Sequence, residues 1–309
     1  MKDIEILRHE TLTEEQKSVM PNLFLIGAGK CGTTSLHAYL SQHPDITGST
    51  EKEPSFFVEN EELRERQLME SMRPEATDLD AYLGLFAHGP HAKYRMEASP
   101  SYSSYPVFSG IPERIAAASP DAHIIYMVRN PVDRAISHYW QDRKILKENR
   151  TALEALSDPE NIYTYTSDYK RQLDRFRPYF DKIQIITSED LRNRPQEVLS
   201  GIYARLDLKT FEIDESELRE RNTTPPTTRQ ARHPLLTQIR DTKMWNHLRS
   251  RMPKSAVSAV RRVAVKDVPR EIENEAELRE LLAARFAPMM AAFDAEYGTG
   301  LHQRWFTGR

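Results

Sequence analysis

Short apolar stretches alternate with longer amphipathic stretches along most of the chain from residue 21 onward. His123–Val128 is a continuous apolar run, which is typical of a central parallel strand buried on both faces. Leu23–Ile26 and Lys182–Thr187 are predicted as two further strands. The alternation predicts an α/β fold, a central parallel sheet flanked by helices with right-handed crossovers. The predicted helices begin at Thr33, Ile111, Pro131 and Pro195, and a last one covers Glu271–Tyr297.

The remaining segments suggest how the chain is organised around this sheet. Residues 1–20 are polar and are predicted as an N-terminal arm, followed by one domain over residues 21–309. Residues 58–95 are rich in charge and are predicted as helical insertions that shape an acceptor site, over Glu61–Met72 and Leu79–Ala87. Residues 222–234 form the one long irregular stretch, which predicts either a lid loop or a domain joint.

Composition excludes several classes of protein and leaves the chemistry to local motifs. The 309 residues carry a net charge of −3, so nucleic-acid binding is not expected. No apolar run approaches the roughly 18 residues of a transmembrane helix, and the N-terminus lacks the apolar core of a secretory signal. A single cysteine fits a reducing compartment, and the cysteine and histidine spacing offers no zinc site. These features predict a cytoplasmic protein without a metal.

The stretch from Phe24 to Leu36 is the most informative motif, because a strand, a glycine-bearing loop and a helix N-terminus together form an anion cradle. The loop resembles the nucleotide-binding pattern G-x-x-x-x-G-K-[ST] in the spacing of Gly27 and Gly32. Thr33, however, occupies the lysine position of that pattern, and Lys30 lies inside the loop. The motif therefore predicts a P-loop-like phosphate site with altered charge placement, for which ATP hydrolysis is not the default.

A second anion site is predicted where the His123–Val128 strand ends. Arg129 follows that strand, and ligands of open α/β sheets bind at the carboxyl ends of the strands. Ser137 lies about two helical turns further on, so an arginine and a hydroxyl can hold a separate phosphate. Taken alone, the pair is equally compatible with a surface arginine and a solvated serine. Together with the glycine-bearing loop, it suits a ligand such as adenosine 3′-phosphate 5′-phosphosulfate (PAPS).

Five motifs in order then resemble the PAPS-dependent sulfotransferases, especially the heparan sulfate sulfotransferase-like branch and its bacterial relatives. The resemblance covers roughly residues 21–210 and continues more weakly to the C-terminus. The motifs are Ile26–Leu36, similar to the 5′-phosphosulfate loop; Lys52–Phe57, similar to the segment with the catalytic base; Glu97–Tyr102; Ile125–Tyr139, similar to the 3′-phosphate motif; and Ser188–Leu191.

The resemblance implies an in-line, metal-independent transfer of a sulfuryl group from PAPS to a hydroxyl, or less readily an amine, of a carbohydrate or small molecule. Lys30 is then the catalytic cation, and Glu53 the general base. The product of the donor is adenosine 3′,5′-bisphosphate (PAP). The residues expected to bind PAPS are Gly29, Lys30, Cys31, Gly32, Thr33, Thr34, Ser35, Arg129 and Ser137.

Two departures from the family pattern bear on the cationic residues. Ala98 stands where related sequences often carry lysine, and the Lys-Gly-Arg loop that closes over the cofactor in many relatives is not found. Arg229 or Arg232, in the irregular stretch, is a candidate to take the role of that loop.

Several alternatives stay open at this point. Glu189 and Asp190 follow a predicted strand, which keeps a P-loop kinase or NTPase open, and a non-catalytic nucleotide-binding protein is a third hypothesis. Cys31 is a candidate nucleophile and His138 a candidate base, although a packing role is favoured for each. The acceptor and the oligomeric state do not follow from the sequence.

Overall fold

The computed structural model describes residues 7–59, 74–89, 91–145, 147–214, 227–231 and 265–308. Its centre is a five-stranded sheet in which every neighbouring pair of strands is parallel and the strand order is β2-β3-β1-β4-β5. The strands are β1 (Leu23–Leu25), β2 (Ile46–Gly48), β3 (Tyr94–Ala98), β4 (His123–Val128) and β5 (Ile183–Thr187). This arrangement confirms the predicted α/β fold with a P-loop-like parallel sheet.

Helices connect and flank these strands, and many begin at a residue whose side chain accepts a hydrogen bond from the first turn. Asn130, for example, accepts from the Val132 amide at 3.0 Å before a helix that begins with Pro131. The helices are α1 (Glu14–Val19), α2 (Thr33–Leu40), α3 (Leu79–Gly84), α4 (Ile111–Ala118), α5 (Pro131–Lys144), α6 (Ala152–Ser157), α7 (Ile162–Tyr165), α8 (Tyr169–Phe176), α9 (Ser188–Asn193), α10 (Pro195–Arg205) and α11 (Glu275–Tyr297).

Two apolar clusters hold these elements together. The larger contains β1 and β4, whose residues from Leu23 to Leu25 and from Ile124 to Val128 are at most 1% exposed. The smaller joins α5, α6 and α7 to the tail helix α11 through residues such as Ile136, Leu156 and Phe286. Both clusters hold the carboxyl ends of β1 and β4 in place, which is where the predicted phosphate sites lie.

The structure corrects several boundaries that the sequence predicted. Strand β3 extends into the Glu97–Tyr102 motif as far as Ala98, and β2 forms in the segment after α2, because both pair with neighbouring strands. The second insertion helix ends at Gly84, and the tail helix begins at Glu275. The expected helix Glu61–Met72 lies outside the described residues.

The prediction that residues 222–234 are irregular is wrong for the middle of that stretch. Residues Thr227–Ala231 form strand β6, which pairs antiparallel with β7 (Val265–Pro269) and lies against α5. The other residues of the stretch lie outside those described, so its role as a lid stays a prediction. Among the described helices, none is long and apolar enough to cross a lipid bilayer.

Candidate functional site

The loop of residues 27–32 leaves β1 and enters α2 through left-handed backbone conformations. Gly27 has φ 131°, and a Cβ atom there would lie 2.1 Å from the Ser103 hydroxyl oxygen. Gly32 has φ 91° and caps the N-terminus of α2. These two positions therefore require glycine. The third left-handed position is Lys30, with φ 73°, whereas Gly29 does not have a positive φ.

Arg134 anchors this loop from below, and sequence reasoning gave it no role. Its side chain is fully buried in the first turns of α5 and donates to the carbonyl oxygen of Gly29 at 3.2 Å. It also donates to the Ser167 hydroxyl and to the carbonyl of Tyr163, both at 2.7 Å. Burial lowers the pKa of Arg134 from its ordinary value. Its position one helical turn before His138 gave no sign that its side chain turns toward the sheet.

Positive charge concentrates around Lys30. Burial lowers the pKa of Lys30, and the charges of Lys144, Arg270 and Arg129 lower it further. Arg270 follows β7, lies over the Trp140 ring at 5.7 Å, and was not singled out by the sequence. An anion bound among these cations would offset their mutual repulsion.

Arg270 is a cation that the described part of the C-terminal third places within electrostatic reach of Lys30. Arg229 lies in β6, and Arg232 lies outside the described residues, so a closing role for either stays a prediction.

Arg129 lies at the carboxyl end of β4, next to the end of β1, as its position in the sequence predicts. Its guanidinium donates to the carbonyl of Lys30 at 3.4 Å. Its backbone is fixed by Tyr169, whose hydroxyl donates to the Arg129 carbonyl at 2.7 Å and accepts from the Arg129 amide at 3.2 Å. Ser137 lies two turns into α5 and is partly exposed.

Cys31 is fully buried beneath the loop, with its sulfur 3.9 Å from the Tyr169 hydroxyl oxygen. Burial raises the pKa of the thiol to about 11, so the thiol is protonated at neutral pH. A nucleophilic Cys31 is therefore disfavoured, and the thiol fills space in the core.

The loop of residues 52–57 approaches the 27–32 loop from the side of β3. The Lys52 ammonium donates to the Thr34 hydroxyl at 2.9 Å and to the Glu53 carboxylate at 3.0 Å, so one lysine links the 52–57 loop to the first turn of α2. The Glu53 side chain is 55% exposed, and its charge acts on Lys30 by raising the pKa of that lysine. The structure thus brings Glu53, Thr34 and Lys30 together at one edge of the sheet.

Other candidate residues have structural roles. Burial, followed by the charges of Arg134 and Lys30, lowers the pKa of His138 well below its ordinary value, and its ring packs edge-on against Tyr163 at 5.0 Å. Asp190 pairs with Arg304 and Arg194, and Glu189 accepts from the Asn130 amide at 3.0 Å. These acids are engaged with the protein itself, which weakens the kinase hypothesis.

Comparison with known proteins identifies a family whose model spans both loops of the site. The model of the sulfotransferase family matches residues 21–212, which contain both loops, β1 to β5 and the Arg129 region. The chain belongs to the sulfotransferase family. Strands β6 and β7 and helix α11 lie beyond the matched residues.

Individual sulfotransferases resemble different lengths of the chain. Human bifunctional heparan sulfate N-deacetylase/N-sulfotransferase 2 is 26% identical over 223 residues, 66% of this chain and 24% of that protein. Human heparan sulfate glucosamine 3-O-sulfotransferase 3A1 is 29% identical over 215 residues, 66% of this chain and 48% of that protein. The chain thus spans between about a quarter and a half of these curated relatives.

One solved sulfotransferase matches most of the fold. The crystal structure of a sulfotransferase from Alicyclobacillus acidocaldarius has a TM-score of 0.61 and 28% identity, and the match covers 89% of this chain and 95% of that one. Membership of the sulfotransferase family supports sulfuryl transfer as the chemistry of the chain. The donor and the acceptor are therefore expected at the 27–32 loop and the 52–57 loop.

Proposed function

We propose that this sulfotransferase moves a sulfuryl group from PAPS to a hydroxyl group of a carbohydrate or small-molecule acceptor. The observation that carries the proposal is the pair of cationic sites at the ends of two neighbouring strands. Lys30 follows β1, Arg129 follows β4, and the guanidinium of Arg129 bonds the backbone of Lys30. A ligand with a phosphate at the 3′ position and a phosphosulfate at the 5′ position fits such a pair.

The donor would be held by both sites at once. The N-terminus of α2, with residues from Gly29 to Ser35, would bind the 5′-phosphosulfate, since first-turn amides lack intrahelical partners. Arg129 and Ser137 would bind the 3′-phosphate. PAPS supplies the activated sulfuryl group when bound. Positioning and charge stabilisation dominate transfers of this kind, so the protein residues serve mainly to align and neutralise charge.

Lys30 and Glu53 would act on opposite sides of the transferred group. The Lys30 ammonium would neutralise charge that develops on the leaving phosphate, and Arg134 would keep the loop that bears it in place. The Glu53 carboxylate, more than half exposed, would take the proton of the acceptor hydroxyl. Lys52 would hold that carboxylate beside the loop through its contacts with Thr34 and Glu53.

The carbohydrate class of the acceptor is proposed from the relatives, two of which are named for heparan sulfate. Glu53 can take the proton of either a hydroxyl or an amine during attack, and an amine is kept as the less favoured acceptor. A lipid-linked sugar or another small hydroxylated molecule is a further acceptor of the same chemical class.

A thermal-shift titration tests the donor class first. Adenosine 3′,5′-bisphosphate in EDTA is compared with ATP and Mg²⁺, and a ligand at a hundredfold excess over its Kd stabilises the folded state by about 2.7 kcal/mol. Stabilisation by the bisphosphate without metal, together with little effect of ATP, supports the proposal. Stabilisation by Mg-ATP alone supports a kinase or NTPase instead.

Transfer itself is tested with PAPS and a panel of glycans and hydroxylated small molecules. Sulfated product identified by mass spectrometry supports the enzyme. Bisphosphate binding without transfer to any acceptor of a broad panel would favour a non-catalytic nucleotide-binding protein.

A further inference from the structure

Glu97 is a buried carboxylate for which the proposed reaction has no direct use. It lies near the end of β3 and is 0% exposed. The hydroxyl of Ser99 donates to its Oε1 at 2.7 Å, and the hydroxyl of Tyr82 donates to its Oε2. Two hydroxyl groups therefore donate to one buried acid. Burial, followed by the charge of Glu97, raises the pKa of the nearby Tyr102 hydroxyl.

The bond from Ser99 to Glu97 fixes the direction in which the Ser99 hydroxyl can act. A serine hydroxyl has a single proton, so a hydroxyl that donates to Glu97 can only accept elsewhere. The Ser99 oxygen accepts from the Ser55 amide at 3.1 Å, and beside it the Tyr102 oxygen accepts from the Phe57 amide at 3.2 Å. The carboxylate thus keeps the Ser99 oxygen turned toward the 52–57 loop.

The 52–57 loop needs such support because its backbone is strained. Glu53 and Ser55 have φ angles of 59° and 57°, in the left-handed region that side chains other than glycine rarely adopt. The Glu53 amide donates to the carbonyl of Ala98 at 3.2 Å, so alternate residues of the loop are bonded to residues 98–102. A loop in this conformation persists only where surrounding contacts hold it.

We propose that Glu97 is a positioning residue, which holds Glu53 at the reacting centre by orienting the Ser99 hydroxyl toward the Ser55 amide. The inference rests on the proposed role of Glu53 as general base. Glu97 acts through Ser99, whose oxygen accepts from the amide of the residue two positions after Glu53. Removing the acceptor oxygen of Glu97 frees the Ser99 hydroxyl to rotate.

Aromatic rings pack around this network, and a variant that keeps the rings can distinguish the role of Glu97 from ordinary core packing. Phe56 stacks on Tyr82 with ring centres 4.1 Å apart, and Phe57 packs edge-on against Tyr82 and Tyr102. A Tyr82→Phe variant keeps these rings and removes one donor to Glu97, but it removes no acceptor of a loop amide. It is therefore a matched control for loosening of the core around the carboxylate.

Amide hydrogen exchange tests the positioning without any assay of turnover. In Glu97→Gln, we expect the Ser55 amide to exchange about tenfold faster, since one side of the new amide group donates rather than accepts. Ser99→Ala should speed exchange at Ser55, and Tyr102→Phe should speed exchange at Phe57. Tyr82→Phe should change either rate less than threefold. Unchanged exchange in Glu97→Gln, or equal acceleration in Tyr82→Phe, overturns the inference.

A double-mutant cycle with Glu53→Gln connects the loop to turnover. Glu97→Gln should lower kcat about tenfold in the wild-type background and less than twofold when Glu53 is already glutamine, with bisphosphate affinity unchanged. Equal losses in both backgrounds overturn the inference, because a general structural defect would be additive. If Glu53→Gln alone leaves kcat unchanged, the proposed base is wrong, whereas faster exchange in Glu97→Gln still supports the positioning of the loop.

Discussion

The 27–32 loop and the 52–57 loop meet at one edge of the sheet but are held in different ways. The first continues a core strand, and its backbone bonds to β4 through the Met127 amide and carbonyl. It is anchored by the buried cation Arg134, which donates hydrogen bonds to the carbonyl oxygens of Gly29 and Tyr163. The second is held from outside, by the hydroxyl groups of Tyr102 and Ser99, the latter of which donates to a buried carboxylate.

The difference concerns what each loop must do. A phosphate site needs a fixed array of amides and positive charge, which a strand end and a helix N-terminus supply directly. A general base needs an exposed carboxylate at one precise place, and its own side chain cannot be locked by burial. The structure resolves this by fixing the backbone on both sides of Glu53 and leaving its side chain 55% exposed.

The largest effect is expected from Glu53, the proposed base. Glu53→Gln should lower kcat by about 10²- to 10⁴-fold, because the acceptor proton loses its acceptor, while affinity for the bisphosphate stays within about twofold. Steady-state kinetics with an acceptor from the panel measure this. Glu51→Gln, an exposed neighbour in the same segment, is the matched control and should retain full turnover. An unchanged kcat in Glu53→Gln would place the base elsewhere.

Lys30→Ala tests the other loop. Loss of a group that stabilises developing charge costs about 2.7–4 kcal/mol of barrier, so kcat should fall by about 10²- to 10³-fold. Lys182→Ala, at an exposed lysine before β5, is the control for loss of a positive charge. Similar turnover in Lys30→Ala and Lys182→Ala would contradict a catalytic role for Lys30.

The buried carboxylate behind the second loop should also show in the pH dependence of stability. Burial raises the pKa of Glu97 to about 7, against about 4.3 in an unfolded chain. Between those values the folded state binds the extra proton, so the free energy of unfolding should fall as pH rises, by about 4 kcal/mol in total, and level off above pH 7. The buried hydroxyls of Tyr82 and Tyr102 have raised pKa values and remain protonated across this range.

Denaturant unfolding between pH 4.5 and 8 measures this slope. Comparison with Glu97→Gln isolates the contribution of the carboxyl group, because the amide does not titrate. A slope that is the same in both proteins would mean that the Glu97 carboxyl titrates as it does in the unfolded chain.

The sequence predicted the first loop far better than the second. Continuous apolar runs identified the bounds of β1 and β4, and helix-start residues the beginnings of α2 and α5, to within one residue, because these signals are local. The short strand β2 and the pair β6 and β7 were missed, since Ile46–Gly48 and Thr227–Ala231 contain no continuous apolar run like that of β1. Without such a run, pairing with a neighbouring strand decides whether the segment is extended.

The same distinction holds for the site. Lys30, Arg129 and Glu53 were predicted as site residues because they stand in motifs whose spacing is visible in the sequence. Arg134 and Glu97 were not given roles, although both lie within or beside those motifs, since their importance depends on complete burial. A charged residue in a helix or at a strand end is ordinarily solvated, and only the tertiary packing shows which ones turn inward.

Arg129 gives the smallest of the expected effects and the most specific. Arg129→Ala should raise the KM for PAPS about 10- to 100-fold, as for loss of a hydrogen bond to a charged group, and leave kcat at saturating donor within about threefold. Adenosine 5′-phosphosulfate, which lacks the 3′-phosphate, is the matched ligand control. Its weak binding should be the same in the wild type and in the variant. If the variant weakens both ligands equally, Arg129 supports the 27–32 loop through the Lys30 carbonyl rather than binding the 3′-phosphate.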